Sequence, residues 1–178
     1  FEIARPIAMR DNGGELRRRF VRAIAAVATM LGRLGVTPNM LTFGSLVPAI
    51  ASGIAAAEGA LLLSAGLVIL SGVCDLLDGS VARATGLVSK TGALLDSTFD
   101  RICDAAPFLG LIVFYANHGW LSVIPALALL WGYTVSYVRA RAEGLGIELP
   151  PLWMRRPGRV ILTAFALAAG GIALINSL

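Results

Sequence analysis

Charge is scarce in this sequence. Asp, Glu, Lys and Arg make up 15% of its 178 residues, against roughly 25% in soluble domains. Hydrophobic residues make up 57%, and the mean hydropathy is +0.78. That balance excludes an ordinary soluble enzyme and implies an integral membrane protein. Cysteine is almost missing too. Cys74 and Cys103 have neither CxxC spacing nor a histidine cluster beside them, since His118 is the sole histidine. That pattern argues against a zinc site, and two small residues packed between helices are expected instead. Residues 1–19 lack an apolar core, so no signal peptide is evident there. The sequence also lacks internal repeats and low-complexity tracts.

What is present divides into a basic arm and a run of apolar segments. Residues 1–13 form an N-terminal arm, and residues 14–35 read as an amphipathic helix. Leu16, Phe20, Ile24, Val27, Leu31 and Leu34 recur on one face, with Arg17, Arg18, Arg19, Arg22 and Arg33 around the rest. Such a helix lies in the interface and favours anionic lipid. Residues 36–178 read as a transmembrane helical domain, with spans near 40–57, 60–84, 92–117, 120–142 and 158–177. Thr37-Pro38 supplies a capping residue and a proline at the first helical position of the first span. The body of that span is rich in Gly, Ala and Ser, as helices that pack closely in lipid are. The stretch 144–157, with Pro150, Pro151 and Pro157, cannot be one continuous helix. With the N-terminus inside, every Arg and Lys near the spans falls on the interior side. The turns at Glu58-Gly59 and Asn117-His118-Gly119 hold none. This asymmetry orients the chain by the positive-inside rule. The basic residues thus mark orientation, and no nucleic-acid partner is expected.

Against this apolar background stand four aspartates at helical spacing: Asp75, Asp78, Asp96 and Asp100. An ionised carboxylate inside a membrane span costs about 2.5 kcal/mol or more unless it meets a partner, a cation or water. Positions three or four apart share a helix face, so Asp75 aligns with Asp78 and Asp96 with Asp100. The polar loop 85–91 between the two helices is short, which makes them antiparallel neighbours and lets four carboxylates converge. Alone, the cluster would repel itself and some members would stay protonated. One or two Mg2+ or Mn2+ ions, which prefer carboxylate oxygen, resolve the conflict. Gly79 permits close approach to the helix backbone beside the carboxylates. Arg83 offers a fixed fork of donors to anionic oxygen. A metal cluster flanked by Arg and small residues suits a diphosphate and phosphoryl or phosphatidyl transfer.

The run Asp75-x2-Asp78-Gly79-x2-Ala82-Arg83-x8-Gly92-x3-Asp96-x3-Asp100 resembles the full signature of the CDP-alcohol phosphotransferase family at every fixed position. The resemblance extends from the amphipathic helix into the fifth span. It implies an all-α, polytopic membrane bundle of six spans, of which five are visible here, so that a sixth is expected to be lacking from this chain. It implies transfer of a phosphatidyl group from a CDP-alcohol, CDP-diacylglycerol, to a hydroxyl acceptor with release of CMP, a step of phospholipid biosynthesis. Carried over residue by residue, Asp75, Asp78 and Asp96 would ligate metal. Asp100 would act as general base and touch a second ion. Asp75, Asp78, Gly79, Ala82, Arg83 and Gly92 would line the CDP site. The resemblance also implies a homodimer in a prokaryotic cytoplasmic membrane, with the site facing the cytoplasm.

The acceptor is read from cations. Ser136-x2-Arg139 and the stretch Arg155-Arg156-Pro157-Gly158-Arg159 place guanidiniums at the same mouth, as a phosphorylated acceptor requires. Ser136, Arg139 and Arg159 resemble the inositol phosphate site of phosphatidylinositol-phosphate synthases, with Arg156 beside them. The chain departs from that pattern in having Arg139 where Lys is common and Gly158 where Glu is common. Glycerol 3-phosphate is the alternative acceptor. A carboxylate-lined ion or proton transporter is the alternative of another class. It would need polar residues continuing along residues 60–70 and 105–116, which are almost wholly apolar. Arg101 and Asp104, which flank the motif, read as supporting polar contacts, and His118 as a turn residue without a role.

Overall fold

The computed structural model describes residues 12–148 and 156–176; among them every regular element is helical. Helix α1 spans Asn12–Arg33, α2 Pro38–Ala57, α3 Leu61–Thr85, α4 Lys90–Phe114, α5 Val123–Gly144 and α6 Arg156–Asn176, with a 3-10 turn at Gly119–Ser122 before α5. Trp153, Arg155 and the prolines at 150 and 151 lie outside the described residues, as does the arm 1–11.

The predicted elements are present, with shifted ends. Helix α2 begins where the capping residue sets it: the Met40 N–H donates to Thr37 Oγ1 (3.3 Å), and Pro38 occupies the first turn. Helix α3 stops at Gly86, whose φ of +70° continues the chain in the left-handed region that glycine tolerates. Ser89 then caps α4, accepting from the Gly92 N–H (2.9 Å). The expected loop 144–157 is shorter at its far end. Pro157 sits in the first turn of α6, where its missing N–H leaves no hydrogen bond unmade.

Among the described residues, four helical stretches are long and apolar enough to cross a membrane: Pro38–Ala57, Leu61–Thr85, Gly119–Gly144 and Arg156–Asn176. Each has 20 residues or more, and about 20 residues span a hydrocarbon core. The expected third span differs. Helix α4 is 25 residues long, yet Lys90, Asp96, Asp100, Arg101 and Asp104 all fall in its first fifteen residues and it does not reach the same hydropathy.

Helix α2 is the centre of the bundle, packed along both α3 and α4, while α3 and α4 touch each other sparsely. Small residues make this possible. A Cβ at Gly53 would lie 2.6 Å from the Ala106 carbonyl oxygen, and one at Gly110 would collide with the Gly53 carbonyl, so α2 and α4 cross backbone to backbone. Serines stitch α2 to α3: Ser64 donates to the Ser52 carbonyl (2.8 Å) and Ser71 to the Ser45 carbonyl (3.0 Å). Cys103 is buried beside Ser45 and Cys74 is half-buried; both are free thiols.

Helix α6 packs against α3 around the core formed by Leu61, Ala65, Val68, Ala164 and Leu167. Val160 lies where a Cβ on Gly72 would be (2.9 Å), and Leu62 where one on Gly171 would be (3.0 Å), so the two helices run antiparallel in close contact. Helix α5 lies against α4 and otherwise leaves its apolar side exposed, Trp131 included. Helix α1 packs on α3, its Gly32 against the Thr85 methyl group, with Ala28 fully buried.

Candidate active site

The C-terminal third of α3, the N-terminal half of α4 and the first turn of α6 meet at one end of the bundle. Asp75 and Asp78 lie one turn apart on α3; Asp96, Asp100 and Asp104 follow at one-turn intervals on α4. Carboxylate oxygens of Asp75, Asp78 and Asp96 lie within 4.8 Å of one another. Three of the four expected carboxylates therefore converge, two from one helix and one from its neighbour. Asp100 stands beside this trio and faces Arg156 of α6.

Asp78 is buried, and the Thr42 hydroxyl donates to its Oδ2 at 2.7 Å, with the Pro38 carbonyl as the competing acceptor (3.1 Å). Because α2 packs against both α3 and α4, its first turns bring this hydroxyl into the carboxylate cluster. Thr42 escapes a reading of the sequence because its role depends on how α2 docks; the one available signal is its position a turn beyond the Thr37-Pro38 cap. Asp96 Oδ1 is buried without a hydrogen-bond partner.

The cationic side is built by α6. With Val160 seated over Gly72, the residue one turn before Val160 lies beside the residue one turn after Gly72. Those residues are Arg156 and Asp75, which form an ion pair. The same Arg156 nitrogen lies 2.6 Å from Asp100 Oδ1, so one guanidinium joins the two aspartate helices. Arg159 donates to Asp104 Oδ2 at 2.8 Å, and Arg101 lies 3.6 Å from both Asp100 and Asp104. The Tyr133 hydroxyl of α5 donates to the Arg101 carbonyl (3.0 Å) and ties α5 to this corner.

The other expected residues are placed more loosely. Gly79 and Ala82 are half-buried on α3, and Arg83 is exposed with its guanidinium donating to Ser80 Oγ (3.2 Å). A Cβ on Gly79 would lie 3.4 Å from the Arg83 guanidinium, so the glycine gives that side chain its room. Gly92 serves the α4 cap, where a Cβ would approach Ser89 Oγ to 3.0 Å. Ser136 donates to the carbonyl of Gly132 on its own helix (3.0 Å), and Arg139 pairs with Glu143 (3.7 Å). Neither is hydrogen-bonded or ion-paired to Arg156, Arg159 or the aspartates. Arg156, grouped by sequence with the acceptor cations, touches the motif aspartates themselves. His118 is exposed beside Phe114 and Tyr115, far along the chain from the cluster.

A cavity of about 440 Å³ opens from the arginine corner into the bundle, with Arg101, Asp104, Arg156 and Arg159 at its polar end and side chains such as Phe108 and Leu162 along it. Among the described residues, the clustered carboxylates outnumber the guanidiniums ion-paired with them, five to three. A divalent cation fits the surplus. Three converging carboxylates offer the oxygen set that hard cations prefer, and the buried Asp96 oxygen without a partner is a free ligand atom.

Helical membrane spans, a carboxylate trio for a divalent cation and an adjoining arginine corner define a membrane enzyme acting on phosphate esters. The family model for CDP-alcohol phosphatidyltransferase matches residues 35–176, and the chain belongs to that family. It is a transferase of substituted phosphate groups. It is 36% identical over 161 residues to the phosphatidylinositol phosphate synthase of Mycobacteroides abscessus, covering 87% of this chain and 73% of that protein. Over 154 residues it is 36% identical to the archaetidylinositol phosphate synthase of Methanothermobacter thermautotrophicus, covering 86% and 74%. Among solved structures, phosphatidylinositol phosphate synthase of Mycobacterium tuberculosis with CDP-DAG bound superposes with a TM-score of 0.69 at 26% identity, covering 85% of this chain and 89% of that one. The same enzyme in complex with manganese and citrate gives a TM-score of 0.64 at 28% identity, covering 84% and 83%.

Proposed function

We propose that this enzyme transfers the phosphatidyl group of CDP-diacylglycerol to inositol phosphate and releases CMP. The observation that carries this reading is the join between the two charged clusters: Arg156 touches both Asp75 and Asp100, and Arg159 lies one turn further along α6. A phosphate held by these guanidiniums keeps the rest of its alcohol beside Asp100. The relatives named phosphatidylinositol phosphate synthase and archaetidylinositol phosphate synthase support the same acceptor.

In this scheme Asp75, Asp78 and Asp96 would hold Mg2+ or Mn2+, and Asp100 would reach a second ion. The excess of carboxylates among the described residues suits divalent cations there. When bound, the ions neutralise charge that develops on the phosphate oxygens. Thr42 fixes the Asp78 carboxylate through its hydroxyl. Gly79, Ala82, Arg83 and Gly92 border the CDP moiety. Asp100 takes the proton of the acceptor hydroxyl as its oxygen bonds to the phosphatidyl phosphorus, and the bond to the CMP phosphate breaks with its electron pair leaving on CMP. Arg156 and Arg159 hold the acceptor phosphate, and Ser136 and Arg139 offer rim contacts to its hydroxyls.

The enzyme works in the cytoplasmic membrane as a homodimer, its site on the cytoplasmic side, consistent with the arginines gathered at that end. Glycerol 3-phosphate is a second reading, favoured by one observation: Ser136 and Arg139 are engaged within their own helix, and a smaller acceptor needs fewer partners. A radiolabel release assay in detergent, with CDP-diacylglycerol, Mg2+ and a panel of acceptors, tests both. Turnover with inositol phosphate is expected; turnover confined to glycerol 3-phosphate overturns the first reading.

A further inference from the structure

Asp104 lies outside the family signature, one turn beyond Asp100 on α4, and no role in the reaction described above depends on it. Its carboxylate is nevertheless the point at which three guanidiniums meet. Arg159 is 2.8 Å away, Arg101 3.6 Å and Arg156 3.7 Å. Arg156 and Arg159 share a face of α6, one turn apart, and Arg101 comes from α4 itself. Like charges at that spacing repel, and the corner is partly shielded from water: the four side chains are 12 to 26% exposed. One carboxylate placed among three guanidiniums offsets their mutual repulsion and holds the forks in fixed directions. This corner is also the polar end of the 440 Å³ cavity. Asp100 is served differently, since it touches the arginines and also stands beside the metal-binding trio.

We propose that Asp104 is a positioning residue for the acceptor: it aims Arg159, and with it Arg156, at the phosphate of the incoming alcohol without touching the alcohol or the metal ions. The proposal rests on the reading that these arginines bind an acceptor phosphate. It separates Asp104 from the four signature aspartates by function as well as by position. Asp104 sets acceptor affinity, whereas they set metal binding and chemistry.

The test uses the full chain in detergent and measures the KM for acceptor, the KM for CDP-diacylglycerol and Mn2+ binding in parallel. In Asp104→Asn the acceptor KM is expected to rise roughly tenfold, the scale of losing a charge-assisted hydrogen bond. The CDP-diacylglycerol KM and the Mn2+ dissociation constant are expected to stay within about twofold, and Asp104→Glu, which keeps the charge, to restore most of the acceptor affinity. A variant carrying both Asp104→Asn and Arg101→Gln removes one charge of each sign, guarding against misfolding from unbalanced charge. Its acceptor KM is expected to remain raised because Arg159 still lacks its partner. An unchanged acceptor KM in either variant overturns the proposal, as does a parallel loss of acceptor, donor and Mn2+ binding, which would mark Asp104 as a support of the whole site. Wild-type turnover with glycerol 3-phosphate in place of inositol phosphate overturns only the acceptor reading, and Asp104 is then judged with that acceptor. Turnover confined to an unphosphorylated alcohol overturns both.

Discussion

The aspartate side of the site is written along two helices that are neighbours in sequence, while the arginine side is brought in by a helix that starts more than fifty residues after Asp100. On the aspartate side, spacing within α3 and within α4 aligns the carboxylates, and the loop after Gly86 returns the chain at once. On the arginine side, the place of Arg156 and Arg159 depends on α6 packing against α3 through Gly72 and Val160. Local geometry fixes the first and tertiary packing the second. The two sides should therefore respond differently to mutation. Changes among the aspartates should abolish chemistry or metal binding outright, and changes around α6 should tune acceptor use.

The largest expected effect belongs to Asp100→Asn. Loss of a general base costs on the order of 10²–10⁴-fold in rate. CDP-diacylglycerol binding, measured by isothermal titration, should persist. Transfer at the wild-type rate would remove Asp100 from that role. Asp75→Asn comes next, with weakened Mg2+ or Mn2+ binding in a direct titration; an unaltered titration would take Asp75 out of the ligand set. Thr42→Val deletes the hydroxyl that holds Asp78 and keeps the shape. Outer partners of metal ligands are worth roughly 10–100-fold in affinity, so Mn2+ should bind at least several-fold more weakly while acceptor KM stays put. Gly72→Val crowds Val160, and overpacking of this kind costs about 1–3 kcal/mol. It should raise the acceptor KM more than it weakens Mn2+ binding, and the reverse order would show that α6 does not set the arginine side. Arg139→Ala should have the smallest effect, a few-fold rise in acceptor KM, because its ion pair with Glu143 lies at the surface, where such pairs contribute about 0–1 kcal/mol.

The same contrast explains what a reader of the sequence could and could not see. The carboxylates, the α2 cap at Thr37 and the helix order are legible because each depends on spacings of three or four residues or on short loops. Thr42 is not legible, since nothing local marks which side chain of α2 will meet Asp78 when that helix packs against both α3 and α4. By its neighbours in sequence, Arg156 belongs with the acceptor cations. Its contact with Asp75 and Asp100 arises from the antiparallel seating of α6 on α3, which no periodicity encodes. The expected third span was found as a helix of the right length, but its charges serve the site and lower its hydropathy below that of the other four stretches.

That lowered hydropathy bears on how α4 sits in the bilayer. A segment with five charged residues in its first fifteen should partition into hydrocarbon less readily than α2 or α3, since charged side chains inside a span are costly. Helices α2 and α3 precede it, both long and apolar enough to cross a membrane, and α2 carries the glycine over which α4 crosses at Gly110. Packed along α2, the helix turns Asp96 toward Asp75 and Asp78 and Asp100 toward Arg156, partners that offset the cost of charge inside a span. The charges that build the candidate site thus make α4 rely on its neighbours for partners within the bundle.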